Sequence, residues 1–331
     1  MTINAITILY NAPVPGSGAD DWDVLDQVEA VEKALGELGI SVSKATIGAN
    51  FMEETARLNQ QGISHVFNLT EAIMNKGELN YFIPALLNMH GIAYTGNPLE
   101  ALFLTTSKRL TNKLLRQRGV NVPGTLKPSE WKEMVSGRKY ILKPVWEEGS
   151  AGITAASVFT FQGELPAIFK TFSGKSGELP DHAWQIEDFI DGREFNISLL
   201  DRKGNPEILP IAEIIFRDFE KERPRIVDYN AKWTPGSFEY ENTLRDFPDL
   251  SGDPRLATAI REAALDTWNT LGLRGYARVD MRVDHQGTVF VIEANANPCI
   301  SPDSGFTAAT RQAGYSFSGV IQRIVDHMNN L

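Results

Sequence analysis

The chain is short of the residues that build disulfides and metal clusters. Its 331 residues include one cysteine, Cys299, which excludes an intrachain disulfide and a zinc site made of cysteines. The histidines are scattered without the spacing of metal ligands, so each is expected to be an ordinary surface or core residue: His65, His90, His182, His285 and His327. The low cysteine content agrees with a cytoplasmic location.

Long apolar runs and an excess of positive charge are lacking as well. No apolar segment approaches the length of a membrane span, and the first residues lack the basic region that opens a signal peptide. Lys and Arg number 32 against 42 Asp and Glu, so the net charge is −10. These features predict a soluble protein without a membrane partner or a general nucleic-acid surface. An anionic ligand would have to be met by locally placed lysines and arginines.

The beginning of the chain alternates between strand and helix patterns. Residues 5–9 form a predicted strand, and apolar positions from Val24 to Leu38 recur at helical spacing up to Gly39, which is placed to end that helix. Further strands are predicted at 42–47, 65–69 and 92–94, with a helix at 82–90. This alternation predicts an α/β unit around a parallel sheet, which we place at residues 1–104.

Two further domains are predicted, at residues 105–190 and 191–331. The second has a predicted helix at 107–117, strands at 140–144, 155–161 and 184–190, and a loop with two glycines at 147–153. The third has predicted strands at 196–201 and 207–216, a long loop at 217–250, and helices at 255–271 and near the end of the chain. The chain has no internal repeat.

The most informative segment, residues 276–306, begins as a predicted β-hairpin. Alternation places Tyr276, Arg278, Asp280 and Arg282 on one face. Residues 285–288 supply a turn that contains a glycine. If that turn has four residues, Asp284 pairs with Val289, Asp280 lies opposite Glu293, and Asn295 shares their face.

Two carboxylates that face each other across a hairpin repel, and a cation would remove the conflict. Asp280, Glu293 and the amide oxygen of Asn295 form a set of hard oxygen ligands suited to Mg²⁺. A solvated face of an antiparallel sheet is the alternative interpretation. The Asn-Ala-Asn-Pro sequence at 295–298, with Arg278 two residues before Asp280, favours the metal site.

Other residues are placed to meet a nucleotide, although each pattern has an ordinary explanation. Lys143 ends a predicted strand before a glycine-bearing loop, which suits a lysine that reaches a phosphate, but an exposed lysine at a strand end gives the same pattern. Glu187 and Glu194 could bind an adenine amino group and a ribose, with Phe189 or Ile190 against the ring. From their spacing alone, two exposed glutamates at a strand edge are favoured.

Taken together, these segments resemble the D-alanine–D-alanine ligases of the ATP-grasp superfamily, over about residues 66–305. The closing signature of that family matches Arg278, Asp280, Glu293, Asn295, Asn297, Pro298 and Ser304. Its lysine-proline pair and phosphate loop match Lys143, Pro144, Glu147, Ser150 and Gly152, and its hinge matches Glu187, Gly192, Glu194 and Phe195. Its first nucleotide lysine matches Lys108, and its loop segment matches Asp228, Tyr229, Ala231 and Lys232.

The resemblance implies an ATP-grasp fold of the α/β class, with α+β subdomains, preceded by a doubly wound parallel-sheet domain. It implies an ADP-forming ligase that joins a carboxylate to an amine through an acyl phosphate. ATP would place its adenine at Glu187, Phe189 and Ile190, its ribose at Glu194, and its phosphates at Lys108, Lys143 and the loop of Ser150. Two Mg²⁺ ions, or Mn²⁺, would bind Asp280, Glu293 and Asn295.

The resemblance also implies roles toward the reacting groups. Arg278 and the backbone N–H of Cys299 would stabilise the oxyanion, and Lys232 would contact the transferred phosphoryl group. Ser304 would bind a carboxylate of the amine donor, while the loop at 217–250 would close over the site. The expected partners are ATP and amino acids, and relatives of this kind are commonly homodimers.

Several departures from the family pattern concern the amino-acid half of the site. Cys299 replaces a glycine, and Gly149 and Trp233 replace a serine and a tyrosine, so the family's hydrogen bond between those two side chains cannot form. Asp21 or Asp23 is the nearest candidate for an N-terminal glutamate, with Asp23 preferred, and Glu71 could meet a substrate ammonium group.

These departures leave the substrates open: D-alanine, the amino acids of an L-dipeptide, or an amino-acid conjugate. A catalytically silent ATP-binding module is a third interpretation. The retention of Arg278, Lys232 and both hairpin carboxylates argues against it.

Overall fold

The computed structural model describes residues 3–14, 16–74, 76–146, 149–173 and 179–328. Glu147, part of the predicted phosphate loop, lies outside the described residues. The described chain forms three sheets, two of four strands and one of six. None of the helices in these ranges is both long and apolar enough to cross a membrane.

The first sheet is parallel, with the strand order β2-β1-β3-β4. Its elements are β1 (Ala5–Tyr10), α1 (Ala19–Glu37), β2 (Ser41–Thr46), α2 (Phe51–Gln60), β3 (His65–Leu69), α3 (Phe82–Met89) and β4 (Ala93–Tyr94). Ile6 and Ile8 pack against α1, whereas Leu9 packs on the other side against α2 and α3. Both faces of the sheet are therefore covered, which explains the mostly apolar sequence of β1. The predicted α/β unit is confirmed; α2 was not predicted.

Two helices, α4 (Leu99–Thr106) and α5 (Lys108–Gln117), lead to the second sheet, which is antiparallel in the order β5-β8-β6-β7. Its elements are β5 (Thr125–Leu126), β6 (Lys139–Pro144), β7 (Val158–Thr160), α6 (Ala167–Phe172) and β8 (Trp184–Asp188). Two sequence predictions here were too long. A 3-10 turn at Ala155–Ser157 replaces the first part of the strand predicted at 155–161, and β8 ends at Asp188 rather than at 190.

The third sheet has the order β12-β11-β9-β13-β14, with β10 also paired to β9. Its strands are β9 (Gly192–Arg202), β10 (Asn205–Ile208), β11 (Ala212–Phe216), β12 (Thr243–Asp246), β13 (Tyr276–Asp284) and β14 (Val289–Ala296). The associated helices are α7 (Tyr229–Trp233), α8 (Phe238–Asn242), α9 (Pro254–Leu271), α10 (Gly305–Gln312) and α11 (Phe317–Asp326). The single strand predicted at 207–216 is two strands, and the loop predicted at 217–250 contains α7, α8 and β12.

The alternation predicted for β13 is confirmed. Ala277, Val279, Met281 and Val283 point into a core formed with α4, α5 and α9, which leaves Arg278, Asp280 and Arg282 on the opposite face. The second sheet has a core of its own, between residues 126 and 186. The core of the first sheet, in contrast, includes Leu200, Tyr276 and Phe306 from the third part of the chain.

The register of the hairpin was predicted correctly at its centre and wrongly at its turn. Asp280 lies opposite Glu293 as predicted, but Val289 pairs with Val283 and not with Asp284. Asp284 belongs to the turn, because its Oδ1 accepts hydrogen bonds from the N–H groups of Gln286 (2.9 Å) and Thr288 (2.8 Å). The ladder then passes from Met281–Val291 to Asp280–Glu293, so Ile292 is an extra residue in a β-bulge. The bulge offsets the one-residue error at the turn.

Candidate active site

A cavity of ≈ 760 Å³ is lined by residues of the second and third sheets, of α1, and of the segment that follows β3. Every side chain that the sequence placed in the site lines it, from the nucleotide candidates to the substrate candidates. They are Lys108, Lys143, Ser150, Glu187, Phe189, Ile190, Glu194, Lys232, Arg278, Asp280, Glu293, Asn295, Cys299, Ser304, Glu71 and Asp23. The fold therefore brings into one space residues that are more than 200 positions apart in the chain.

The predicted metal face carries two carboxylates that are already paired with cations. Arg278 holds Asp280 through two hydrogen bonds, of 2.7 Å from Nε and 2.8 Å from Nη2. Lys108 Nζ lies 2.9 Å from Glu293 Oε1. Asn295 Nδ2 donates to Asp280 Oδ2 at 3.0 Å, and Asn196 Nδ2 donates to Oδ1 at 2.8 Å. Asp280 and Asn295 are 6% and 5% exposed, so the interpretation as a solvated sheet face is wrong.

The electrostatics of this face favour ionised carboxylates. Burial would raise the pKa of the Glu293 carboxyl, but the positive charges of Lys108 and Lys232 outweigh burial and lower that pKa to about 2. Burial lowers the pKa of Lys232, and Arg278 beside it acts in the same direction. Burial would also lower the pKa of Arg278, but Asp280 outweighs it and raises that pKa. The cavity thus holds fixed charges of both signs close together.

These residues fit a divalent cation by the chemistry of their donor atoms. The described residues contain no group of three or more His, Cys, Asp or Glu that could hold a metal ion. The predicted metal site is not such a group, because it consists of two carboxylates and one amide. Asn295 donates through Nδ2 to Asp280, which leaves its side-chain carbonyl oxygen available as a ligand. Ionised carboxylates with a carbonyl oxygen suit Mg²⁺.

The nucleotide candidates are buried in an ion-paired network. Lys143 Nζ lies 2.7 Å from Glu187 Oε2, and Glu187 Oε1 accepts hydrogen bonds from Asn112 (3.1 Å) and Gln185 (2.7 Å). Lys143, Glu187 and Glu194 are 9%, 1% and 6% exposed. The interpretations as a surface lysine and as exposed strand-edge glutamates are therefore wrong.

Arg282 is a site residue that the sequence reading placed on the correct face but gave no role. It is 3% exposed, lines the cavity, and pairs with Glu194 at 2.9 Å. The sequence contained a signal for this role, because Arg282 is the fourth residue of the alternating face that also carries Arg278 and Asp280.

The amino-acid half of the cavity contains a hydrogen-bonded chain of polar groups. The Cys299 thiol donates to Asp23 Oδ2 at 2.9 Å and lies 3.0 Å from Ser301 Oγ. Gln27 Nε2 contacts both Asp23 Oδ2 (3.2 Å) and Glu71 Oε1 (3.3 Å). Burial, followed by the charge of Asp23, raises the pKa of the Cys299 thiol. Cys299 is therefore a neutral hydrogen-bond donor here, not a thiolate.

Burial also raises the pKa of the Asp23 carboxyl. Gln27, which the sequence reading missed, is 2% exposed and fixes the separation of the two acids. A glutamine one helical turn after Asp23, next to the apolar position Val28, was the only signal for it in the sequence. An ammonium group between Asp23 and Glu71 would offset part of their negative charge.

Ser304 is the N-cap of α10, and its side chain accepts a hydrogen bond from the N–H of Thr307 at 3.2 Å. Asp303 and Arg245 also line this end of the cavity, and neither was predicted. A Cβ at Gly305 would lie 3.5 Å from Arg245 Nη2, so this guanidinium lies over the first residue of α10. Arg245 comes from β12, inside the segment predicted as a loop, which explains why it was missed.

The 217–250 segment contacts the predicted phosphate loop through bonds that differ from the expected serine–tyrosine pair. Trp233 Nε1 donates to the backbone oxygen of Gly149 at 2.9 Å. Ser150 has a left-handed backbone, with φ of 66°, and its Oγ donates to the backbone oxygen of Val227 at 2.7 Å. Tyr229 donates to Asp20 Oδ1 at 3.1 Å. The substitutions at Gly149 and Trp233 therefore change the atoms of the contact without removing it.

Residues 139–326 match the family model described as D-ala D-ala ligase C-terminus. A D-alanine–D-alanine ligase of Carboxydothermus hydrogenoformans is 31% identical over 90% of this chain and 90% of its own length. A Bacillus anthracis D-alanine–D-alanine ligase complexed with ATP superposes with a TM-score of 0.72 at 18% identity, covering 98% of this chain and 96% of its own. The VanG D-Ala:D-Ser ligase of Enterococcus faecalis superposes with a TM-score of 0.70 at 16% identity, covering 98% of this chain and 99% of its own.

Proposed function

Because the chain belongs to the D-alanine–D-alanine ligase family and has its ATP-grasp fold, we propose that this ATP-dependent ligase joins the carboxylate of one amino acid to the amine of another. The reaction would release ADP and inorganic phosphate. One observation carries the proposal: Lys108, Lys232 and Arg278 converge on Asp280 and Glu293 in a cavity that continues to Cys299 and Ser304. Arg278 lines the same cavity as Cys299 and Ser304, and a site that only binds ATP has no need for an oxyanion arginine.

The nucleotide would lie along the wall formed by β6, β8 and β9. The adenine would meet Glu187, Phe189 and Ile190, and the ribose would meet Glu194. Lys108 and Lys143 would exchange part of their present contacts with Glu293 and Glu187 for phosphate oxygens, since a lysine serves as a point charge for phosphate. Ser150 would add a hydrogen-bond donor at the loop.

A divalent metal is implied by the family, and we propose two Mg²⁺ ions on Asp280, Glu293 and Asn295. When bound, these ions would neutralise negative charge on the phosphate oxygens, which is the main requirement of phosphoryl transfer. Mn²⁺ would be an acceptable substitute, because the same oxygen ligands suit it.

The chemistry would proceed in two steps. A carboxylate oxygen of the first amino acid attacks the γ-phosphorus, the bond to the bridging oxygen breaks, and ADP leaves. The nitrogen of the second amino acid then attacks the carbonyl carbon of the acyl phosphate and loses a proton. The tetrahedral oxyanion would be stabilised by Arg278 and by the backbone N–H of Cys299, and it collapses as phosphate leaves.

The amino-acid half would recognise charged groups at both ends. Asp23 and Glu71, spaced by Gln27, would hold the ammonium group of the first substrate. Ser304 at the start of α10 would hold the carboxylate of the second substrate, where helix N–H groups favour an anion. The identity of the two amino acids stays open, and D-alanine, L-amino acids and amino-acid conjugates are all within the proposal.

A panel assay tests the proposed function. ADP release is measured with ATP and Mg²⁺ against D- and L-amino acids, singly and in pairs, and amide product is identified by mass spectrometry. We expect a pair of amino acids to stimulate ADP release and to yield a stoichiometric amide. Intact ATP binding without stimulation by any member of the panel would instead support the silent ATP-binding module.

Replacing Cys299 by glycine tests whether its thiol shapes the substrate. Cys299→Gly removes the donor to Asp23 and opens space, so we expect turnover to persist while relative kcat/KM moves toward larger first substrates by about tenfold. Cys299→Ser, which keeps a donor, should retain more of the parent selectivity. Complete loss of ADP formation in the glycine variant would show that Cys299 has a direct part in the chemistry.

Replacing Trp233 by phenylalanine tests the contact between the 217–250 segment and the phosphate loop. Trp233→Phe deletes the hydrogen bond to Gly149, and exposure of the acyl phosphate to water should raise ADP formed per amide about three- to tenfold. Trp146→Phe is the control, because it removes an indole bond of the same kind to His182 (2.7 Å) outside that segment. An unchanged ratio in Trp233→Phe would contradict the proposed closure.

Two structural expectations also remain proposals. The division at residues 1–104, 105–190 and 191–331 is supported by the separate core of the second sheet. A homodimer is supported by exposed apolar side chains on α2, α3 and α4: Met52, Met89 and Phe103, which are 64%, 65% and 46% exposed. Sedimentation as a monomer at micromolar concentration would contradict the pairing.

A further inference from the structure

Arg282 lies in the middle of the surface proposed for the nucleotide and has a set of contacts that its position alone does not explain. In the ladder between β13 and β9 it is directly opposite Glu194. Its Nε and Nη2 donate to Glu194 at 3.0 and 2.9 Å, and both bonds end on the same oxygen, Oε2. No described residue donates a hydrogen bond to the other oxygen, and Glu194 lines the cavity.

The remaining donors of Arg282 join two other parts of the chain to this pair. Nη1 donates to the backbone oxygen of Ile190, in the connection between β8 and β9, at 2.8 Å. Nη2 also donates to the backbone oxygen of Arg225, which belongs to the 217–250 segment. The guanidinium lies over the Phe189 ring, 5.0 Å from its centroid. A planar group with donors on several edges can make these contacts together, whereas a lysine cannot.

The charge of the pair indicates which ligand group fits beside it. An unpaired carboxylate in this cavity would repel a triphosphate, but Arg282 compensates Glu194. The pair as a whole is neutral and presents one acceptor oxygen, so it suits an uncharged hydroxyl donor. A ribose carries two such hydroxyl groups.

We propose that Arg282 is a positioning residue for the nucleotide sugar. It fixes Glu194 so that one carboxylate oxygen accepts a hydrogen bond from a ribose hydroxyl, and it thereby sets a preference for ribonucleotides. This inference rests on the ATP-dependent function proposed above. The bond to Arg225 further links the sugar to the 217–250 segment.

Binding of ATP, 2′-deoxy-ATP and 3′-deoxy-ATP to the full chain with Mg²⁺, measured by calorimetry, tests the inference. We expect the parent to bind ATP about tenfold more tightly than at least one deoxynucleotide, because a hydrogen bond to a charged group is lost. Arg282→Met should weaken ATP binding and thereby remove the preference for ATP over the deoxynucleotide, whereas Arg282→Lys should keep part of this preference. At saturating amino acids, KM for ATP should rise more than kcat falls.

Arg323 supplies a matched control outside the cavity. It pairs with Glu207 at 2.8 Å, donates to the backbone oxygen of Asp201 at 2.9 Å, and lies over the Tyr315 ring. Arg323→Met should lower the melting temperature without changing the ratio of ATP to deoxynucleotide affinity.

A folded Arg282→Met that keeps the parent ratio would overturn the inference, and so would a parent without any ribonucleotide preference. If Arg282→Met does not fold, an Arg282→Lys variant with the parent's ratio of ATP to deoxynucleotide affinity would also overturn the inference. Failure of the parent to bind any nucleotide would overturn the proposed function itself, so the two failures are distinguishable.

Discussion

Glu293→Gln lowers turnover by about three orders of magnitude, on the order of 4 kcal/mol of transition-state stabilisation, if the hairpin carboxylates hold the metal ions. Glutamine keeps the shape of the side chain but removes its charge. The metal would lose an anionic ligand, and Lys108 would lose its ion-pair partner at 2.9 Å. The measurement is steady-state ADP formation at saturating ATP, amino acids and Mg²⁺.

Glu213→Gln is the control for this result. Like Glu293, Glu213 is paired with a basic residue, Arg193, at 2.7 Å, but it does not line the cavity. Its loss should affect stability more than turnover. Substantial activity of Glu293→Gln at saturating Mg²⁺ would place the metal site elsewhere.

Arg278→Lys is expected to slow amide formation by about 10²- to 10³-fold, the effect of losing an oxyanion donor. Lysine keeps the positive charge but cannot make both bonds to Asp280 and also present a donor to the carbonyl. The second chemical step should suffer more than the first. The acyl phosphate can be trapped with hydroxylamine, so the hydroxamate formed per ADP should rise as amide falls.

Arg193→Lys is the matched variant, since Arg193 holds Glu213 through two bonds of 2.7 Å in the same sheet. It should leave the ratio of hydroxamate to amide unchanged. Equal losses in acyl-phosphate formation and amide formation by Arg278→Lys would mean that Arg278 serves only to place Asp280.

The fold could be predicted from local sequence patterns where a single physical rule determines the secondary structure. The parallel unit followed from apolar strands that alternate with helices, and its third strand was predicted at the same residues that the structure shows, His65–Leu69. Elements whose stability depends on partners far along the chain were harder. Helix α2 has few apolar residues, and it was missed although Leu58 is buried against α3.

The candidate site was predictable where residue types and spacing belong to one short segment. Asp280 and Glu293 share a hairpin, so strand alternation predicted that they face each other, and the bulge at Ile292 offsets the one-residue error in the predicted turn. The bulge at Ile292 was not predictable, because it depends on how Asp284 closes the turn. Arg245 lines the cavity from β12, and only the tertiary fold places it beside Gly305. Gln27 lies one helical turn after Asp23, but only the tertiary fold brings it to Glu71.

The junction between the first and third sheets determines which part of the molecule can move. Asn297 Oδ1 accepts hydrogen bonds from the N–H (2.7 Å) and the side chain (3.1 Å) of Asn97. Gly96 has no room for a Cβ, because Asn297 lies against it. These two sheets also share a core, so we expect them to move as one body.

The second sheet is attached differently, through polar bonds that start on α5. Arg109 donates to the backbone oxygen of Trp184 at 2.8 Å, and Asn112 donates to Glu187 at 3.1 Å, while Leu115 of the same helix is buried in the core of the third sheet. A few directional bonds permit rotation more readily than an interdigitated core. We therefore expect the β5–β8 sheet to swing about α5 as ATP arrives and ADP leaves, with Lys108 at the pivot, while the amino-acid half keeps its shape throughout the cycle.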